Sequence, residues 1–521
     1  MSSRGLGCLL GGAVLTVSVT MLAGCAAGPD FRRPPPPAAQ GYTPAPLPAL
    51  TVSADVAAGT AQRFVADKDI PFDWWTLFQS PQLNALIERA FKANPSIDAA
   101  QAALRQAQEN TVAQQGFFYP TVGISYQPSR NKLAGNNGGN APGIQGNGTV
   151  IQTYANPAGP KFNGPAYYNF HVAQLTVGYV PDVFGAARRS VESAQALAAE
   201  QQLQLQATYV TLASNVVAAA LQEASLRAQA AALEKVVGIN REQLEILHKQ
   251  FALGYASGLE VAAQEMALAQ AEQALAPLQA QLEQTRDLLR ALAGNPPNEA
   301  VQENFSLADL HLPQELPLSL PSRLVEQRPD VRMAEEQLHF ASAQYGVAIA
   351  NRMPQFSVNA AMGGMASSPD WMFRAGGGFF SLAANIGYTI FDGGTLKAQS
   401  RAAQQALERA AAQYRGTVIA ALQNVADTLY AIRADAKTLK AAAGAAQAAG
   451  KVLDITRKQY EDGYVSYQAM LAAEQNYQLT AIGLAQAQAT RFGDTAALYQ
   501  ALGGGWWNHA GDAPAKGETA Q

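Results

Sequence analysis

The 521-residue sequence predicts an α+β membrane protein in which one plan, a strand pair followed by a long helical hairpin, is present twice. Three observations predict this fold class. The two halves share proline and glycine positions at constant spacing. Short segments alternate apolar and polar residues with a period of two, and two helical stretches are far longer than the helices of a compact domain. Because an internal repeat sets the expectation for every other element, the two halves constrain the whole fold.

Proline and glycine landmarks recur in both halves. Pro95 and Pro120 are matched by Pro329 and Pro354 at one constant offset. Further matches follow at a second, shorter offset: Gly178 with Gly387, Gly185 with Gly394, Gly254 with Gly463, and Glu265 with Glu474. The change of offset places extra residues in the first copy, where a Gly-, Asn- and Pro-rich segment over 128–165 predicts a long polar loop.

Composition excludes several functions. The 36 Lys and Arg against 40 Asp and Glu give a net charge of −4, which argues against a nucleic-acid-binding protein. Charged residues make up 15% of the chain, below the ~25% usual for soluble domains. Hydrophobic residues reach 48%, and many are alanine, which indicates long, closely packed helices. Only two cysteines occur, Cys8 and Cys25, so the rest of the chain offers no disulfide and no cysteine metal site.

The N-terminus predicts export and lipidation. Residues 5–24 are almost wholly apolar and follow Arg4, which is the layout of a secretory signal. A transmembrane anchor is the alternative, since the run approaches the length needed to span a bilayer. The ending Leu22-Ala23-Gly24-Cys25 resembles a bacterial lipoprotein box, which implies cleavage before Cys25 and a diacylglycerol on its sulfur. Residues 25–70 then begin as a proline-rich, extended tether.

Four segments alternate apolar and polar residues and are predicted as strands. They pair as about 120–128 with 166–181, and as about 354–363 with 378–391. Soluble hairpins would pack the apolar faces on a core, whereas membrane strands would turn them to lipid. The strands alone do not separate these interpretations, and the N-terminal signal favours the second. No segment after the signal reaches 18 uninterrupted apolar residues, so any further membrane crossing would use strands.

The remainder is predicted as helix with a heptad stripe. The longest stretch, 186–253, would measure roughly 100 Å as one helix. Shorter helices are expected to stack end to end beside each long one: 95–117 and 258–293 beside 186–253, and 330–352 and 467–501 beside 395–460. Gly254 and Gly463 mark the turns of the two hairpins. Four strands cannot close a barrel, since the smallest have about eight, so the chain must oligomerise, and a dimer or a trimer would satisfy strand counting.

These features resemble the TolC-type outer-membrane efflux channels, in the lipoprotein branch that serves RND pumps. The matching pieces are the lipobox with Gly28-Pro29-Asp30-Phe31, Trp74-Trp75, Asn94-Pro95, Phe184-Gly185, Arg328-Pro329-Asp330-Val331, Phe391-Asp392-Gly393-Gly394 and Ala501-Leu502-Gly503-Gly504-Gly505-Trp506. Each piece is weak by itself. Their order on a duplicated plan covers nearly the whole mature chain and carries the resemblance.

The resemblance implies a homotrimer. Three chains would form a twelve-stranded outer-membrane β-barrel, continued by a twelve-helix periplasmic α-barrel with a mixed equatorial domain. It implies a passive exit duct for drugs or other toxic small molecules, joined by a periplasmic adaptor to an inner-membrane RND pump. Outer-membrane lipid is the surrounding partner, and no nucleic acid is expected. The only prosthetic group implied is the covalent diacylglycerol and N-acyl lipid on Cys25.

By position, the resemblance makes the hairpin turns the adaptor contacts. These residues are Leu253, Gly254, Tyr255, Ala256 and Ser257 in the first turn, and Asp462, Gly463, Tyr464, Val465 and Ser466 in the second. Plain helical turns are the alternative interpretation. Family members often carry aspartates after the second turn that narrow the pore, but Ala469 and Ala472 stand there. The possible gate residues are Glu260, Tyr467 and Glu474.

No enzyme is predicted, because no nucleophile and base share a recognisable motif. His248 and His339 lie on helical patterns, and the Asp392-Gly393-Gly394 sequence fits a strand-to-helix turn better than a catalytic aspartate. Type I protein secretion and heavy-metal efflux remain alternatives within the same fold, and a coiled-coil lipoprotein or periplasmic adaptor is the alternative outside it. The expected domains are a signal peptide at 1–24, a tether at 25–70, structural repeats at 71–300 and 301–505, and a flexible tail at 506–521.

Overall fold

The computed structural model of the protein describes residues 26–37, 41–132, 167–299 and 303–508. The expected signal peptide at 1–24, the lipidation residue Cys25 and most of the predicted polar loop lie outside these ranges. The chain divides into two compact units. The sheet unit contains the described residues within 1–32, 107–197 and 339–409, and the helix unit contains the other described residues.

The described ranges contain six strands and eight α-helices. The strands are β1 (Arg63–Ala66), β2 (Thr121–Lys132), β3 (Tyr167–Tyr179), β4 (Glu315–Leu318), β5 (Gln355–Ala366) and β6 (Gly378–Gly387). The helices are α1 (Pro81–Ala93), α2 (Pro95–Gln115), α3 (Ala186–Ala252), α4 (Gly258–Leu292), α5 (Pro321–Gln327), α6 (Pro329–Ala350), α7 (Thr395–Glu461) and α8 (Tyr467–Ala501). The two long helices and their shorter partners therefore lie where the heptad stripes predict them.

The sheet unit holds one antiparallel sheet in the order β2-β3-β5-β6. β2 runs past the expected end at residue 128, because it pairs with β3 as far as Lys132 opposite Tyr167. The fourth strand, expected to reach residue 391, ends at Gly387. Its partner β5 begins at Gln355, directly opposite Gly387, so the next residues have no strand beside them in the described chain.

One face of this sheet is apolar and uncovered. Ile124, Leu175, Met362 and Phe380 are paired in register and form a row across all four strands. Ile124 is 87% exposed and Phe380 is 86% exposed. The interpretation of soluble hairpins packing on a core is therefore wrong for the single chain, because no core covers this row and all four apolar side chains are solvent-exposed in the described chain.

The two long helices begin at aspartate caps. The carboxylate of Asp392 accepts hydrogen bonds from the amides of Gly394 and Leu396, each at 2.7 Å. Asp182 accepts likewise from the amides of Ala187 and Arg188. Carboxylates satisfy amides that a helix start leaves unpaired and oppose the helix dipole. Asp392 is thus a capping residue, as its position after a strand predicts.

The core of the helix unit combines the heptad seams with an aromatic cluster. Val216, Val425 and Ile432 have no exposed surface. The ring of Trp74 stacks on Tyr499 with their centroids 5.4 Å apart. No helix within the described ranges combines the length and apolarity needed to cross a membrane.

The expected tether at 25–70 is folded over much of its length. β1 pairs in parallel with β4, the segment that joins the two repeats. The buried guanidinium of Arg491 donates to the carbonyl of Thr60 at 2.7 Å, and Gln62 donates to the hydroxyl of Thr495 at 3.1 Å. Buried polar groups need partners, and these two bonds tie the N-terminal segment to the helix that ends the second repeat, so a free tether is the wrong description for residues 50–70.

The tail expected to be flexible from residue 506 begins as packed structure. Trp506 donates its indole N–H to the carbonyl of Gln327 at 2.6 Å. Trp507 donates to the carboxylate of Asp69 at 3.0 Å. A short 3₁₀ turn over Trp506–Asn508 is therefore part of the helix unit. Residues 509–521 lie outside the described ranges.

Candidate functional site at the hairpin turns

The first hairpin turn closes α3 with a glycine in the left-handed region. Gly254 has φ +78°. The amide of Tyr255 donates to the carbonyl of Gln250 at 2.8 Å, and the amide of Gly254 donates to that of Phe251 at 3.0 Å. This pair of bonds is the Schellman motif, which satisfies carbonyls that a helix end leaves free. The glycine is thus required by the backbone.

The second turn repeats this geometry at the end of α7. Gly463 also has φ +78°. The amide of Tyr464 donates to the carbonyl of Gln459 at 2.7 Å, and the amide of Gly463 donates to the backbone carbonyl of Tyr460 at 3.0 Å. The internal repeat therefore extends to individual hydrogen bonds.

The two turns differ at the helix that follows. The hydroxyl of Ser257 accepts from the amide of Glu260, and the Glu260 carboxylate accepts from the Ser257 amide at 2.6 Å. This reciprocal capping box lowers the pKa of Glu260, mainly through the bond from the Ser257 backbone. Ser466 caps α8 with the single bond from Ala469, since alanine offers no carboxylate.

The structure places the three predicted gate residues in different roles. The carboxylate of Glu260 is engaged within its own turn. Tyr467 instead reaches across to the first hairpin, where its hydroxyl donates to Glu242 at 2.5 Å. That bond, followed by partial burial, raises the pKa of Tyr467 to about 12. Glu474 is half-buried, and its negative charge raises the pKa of Tyr467 further.

Glu242 is a site residue that the sequence reading missed. It lies on α3, more than 200 positions before Tyr467, and no motif marks it. A second cross-hairpin contact joins the Gln468 amide to the Gln250 side-chain oxygen at 3.4 Å. The ring of Tyr460 lies 5.2 Å from that of Tyr467. Only the packing of one hairpin against the other brings Glu242 to Tyr467 and Gln250 to Gln468.

The turns also carry a set of exposed apolar side chains, which we call the tip patch. Its members are Phe251, Leu253, Tyr255, Leu259 and Tyr464. Tyr255 and Tyr464 are more than 80% exposed. Clustered exposed apolar residues on a folded unit mark a surface that contacts another molecule.

A match to a known family decides what kind of protein carries these turns. The family model of outer membrane efflux proteins matches residues 86–295 and 320–504. These are the two structural repeats. The chain belongs to the outer membrane efflux protein family.

This outer membrane efflux protein has relatives of nearly equal length. It is 26% identical over 474 residues to the pyoverdine export outer membrane protein OpmQ of Pseudomonas aeruginosa, covering 89% of this chain and 94% of OpmQ. It is 25% identical over 499 residues to the probable efflux pump outer membrane protein TtgC of Pseudomonas putida, covering 96% of each.

Its fold is that of a solved channel. The open-state structure of the MtrE outer membrane channel of Neisseria gonorrhoeae aligns with a TM-score of 0.75 at 23% identity, over 93% of this chain and 99% of MtrE. The family is one of outer-membrane efflux ducts, so the protein functions in efflux at the outer membrane.

Proposed function

We propose that this chain is the trimeric exit duct of a tripartite RND-type efflux system for toxic small molecules. The observation that carries the proposal is the uncovered apolar row Ile124, Leu175, Met362 and Phe380, on a sheet whose strand pairs are each followed in the chain by a long helical hairpin. Such a face suits lipid. Two of the relatives are named as a pyoverdine export protein and as a probable efflux pump outer membrane protein, which supports small molecules as cargo.

The edges of the sheet support assembly. β2 and β6 each pair on one side only within the described chain. Unpaired edges are unstable in isolation, and a four-stranded sheet is about half of the smallest membrane barrel. Three copies joined β6 to β2 would form the twelve-stranded barrel, with the hairpins forming the twelve-helix tunnel.

The tip patch supports docking to a periplasmic adaptor. The Schellman turns hold Tyr255 and Tyr464 outward on rigid backbone. Aromatic side chains with few rotatable bonds are the residues that dominate protein interfaces. We place the adaptor contact there, and we assign the energy-consuming step to an inner-membrane pump that the adaptor joins to this duct.

Deletion and complementation test the function. Loss of the gene is expected to raise cellular accumulation of a dye substrate, and the wild-type chain restores export. A strain that keeps dye, drug and metal export but loses secretion of a protein would instead support type I secretion. Loss of metal export alone would support a heavy-metal duct.

Tip variants test the docking surface. Tyr255→Ser combined with Leu253→Ser should abolish complementation and adaptor cross-linking, because both remove exposed apolar area at the contact. Tyr255→Phe keeps the ring and serves as the control. Full complementation by the double serine variant, at equal trimer levels, would exclude the tip patch as the docking site.

A further inference from the structure

The first described residues are held tightly against the sheet unit. The amide of Ala27 donates to the carbonyl of Phe184 at 2.9 Å. Arg189, which is buried, donates to the carboxylate of Asp30 at 2.7 Å. Phe31 stacks on His339 with ring centroids 4.3 Å apart. The segment 26–31 is therefore docked at a defined place.

Close backbone packing fixes this place further. Gly28 lies against Gly346 so closely that a Cβ on Gly28 would be 2.6 Å from the Gly346 Cα. A Cβ on Gly185 would lie 2.8 Å from the Cα of Ala26. Ala26 thus sits on the turn between β3 and α3. It directly follows Cys25, and consecutive Cα atoms are about 3.8 Å apart.

That turn forms one wall of a cavity of about 430 Å³ within the sheet unit. We call this cavity the junction pocket. Its larger apolar lining residues are Phe117, Val180, Val183, Phe184, Val347 and Phe356. Two of the polar side chains in the wall are engaged locally. The Asp182 carboxylate caps α3, and Gln355 donates to the carbonyls of Ala350 and Met353. The six apolar side chains give the remaining wall a surface that suits hydrocarbon.

We infer that the junction pocket holds an acyl chain of the lipid attached to Cys25. The inference rests on the lipidation implied by the Leu22–Cys25 box. The docked segment ends beside the pocket, so the acyl chain needs no long linker to enter it. Bound there, the lipid fixes the N-terminus to the junction of strands and helices as well as to the membrane.

Photo-cross-linking tests the inference. Cells are fed a palmitate analogue carrying a diazirine and an alkyne, and the purified, irradiated protein is digested and mapped by mass spectrometry. The expected result is a cross-link from the Cys25-linked acyl chain to peptides containing Phe117, Val183 or Phe356. A Cys25 that carries the analogue but cross-links only to phospholipid would overturn the pocket and leave the duct function intact.

Matched variants identify the source of the acyl chain. Val180→Trp fills the pocket from its exposed rim and should reduce the cross-link several-fold, whereas Val122→Trp, an exposed valine on β2 outside the pocket, should not. A Cys25→Ser variant exported by an ordinary cleavable signal should lose the cross-link. Persistence of the cross-link would mean that free phospholipid fills the pocket, contrary to the inference. An N-terminal peptide mass without lipid would refute the lipidation itself.

Discussion

At the scale of single residues, Tyr467 is the clearest link between the two hairpins. Its hydroxyl bond to Glu242 is charge-assisted, and such bonds are stronger than neutral ones. We expect it to hold the two turns together in a closed arrangement. The capping role of Glu260 argues against the same function for that residue, because its carboxylate is already engaged with Ser257.

Tyr467→Phe removes this bond and keeps the ring. The loss of about 1.5 kcal/mol, the lower end for a hydrogen bond to a charged group, should shift the duct roughly tenfold toward an open state. Single-channel conductance of the purified trimer in planar bilayers is the measurement, with Tyr464→Phe, at an exposed tyrosine three residues away in the chain, as the control. Equal conductance of the wild type and Tyr467→Phe would show that the bond does not gate.

Asp435 on α7 is a second residue with a testable consequence. Burial, followed by the neighbouring carboxyl of Asp494 on α8, raises the pKa of Asp435 from 3.8 to about 7. Arg491 opposes this shift. A raised carboxyl pKa in the folded state means that the unfolded state ionises first as pH rises.

The folded protein should therefore lose stability relative to Asp435→Asn as pH rises from about 4 to about 7. The difference should reach about 1 to 2 kcal/mol above pH 7, after allowance for partial solvent screening. Thermal unfolding in detergent across this pH range measures it. Asp494→Asn should lower the pKa of Asp435 and shrink the effect, and parallel pH curves for all three proteins would contradict the assignment.

At the scale of elements, the hairpin turns depend on backbone conformation. Gly254 and Gly463 share one φ and one hydrogen-bond pattern, so each turn is fixed locally. A side chain in the left-handed region costs roughly 1 kcal/mol or more. The internal duplication has thus preserved a conformation as well as a sequence pattern.

Gly254→Ala should lower the apparent unfolding temperature of the trimer and weaken adaptor cross-linking. Gly238→Ala is the matched control, because Gly238 lies inside α3 with no positive φ and open space around its Cα. That change should stabilise the helix by roughly 0.5 to 1 kcal/mol. Similar effects of the two substitutions would show that the turn tolerates a side chain.

The strands support a prediction about membrane insertion. Phe380 and Ser381 are neighbours on β6 whose side chains point to opposite faces. Phe380→Lys should reduce trimer in the outer-membrane fraction, because a lysine on a lipid-facing strand costs about 2 kcal/mol. Ser381→Lys should leave the amount nearly unchanged. The reverse order would mean that the apolar row does not face lipid.

At the scale of the whole molecule, the repeat and the periodicities predicted most of the fold. The two helical hairpins, the strand pairs and the turns at Gly254 and Gly463 follow from local patterns, which the chain satisfies within each segment. The fourth strand was predicted too long. Its end is set by where β5 begins, and sequence alternation alone carries no information about that.

Contacts between distant segments were beyond the sequence. The bond from Tyr467 to Glu242 and the engagement of Thr60 by Arg491 each join positions far apart in the chain. So does the packing of Trp506 on Gln327. A polar side chain that a helical pattern places on the solvent face finds its hydrogen-bond partner only when another helix packs against that face.

By itself the sequence determined a duplicated α+β chain with an export signal, because hydrophobic period and turn chemistry act over a few residues. The tertiary structure decided which face stays uncovered, which residues join the two hairpins, and that the supposed tether is folded. These depend on register and on the burial of polar groups that need distant partners. Low charge and abundant alanine permit close helix packing. The packing itself gives Glu242 and Arg491 their distant partners and encloses the junction pocket.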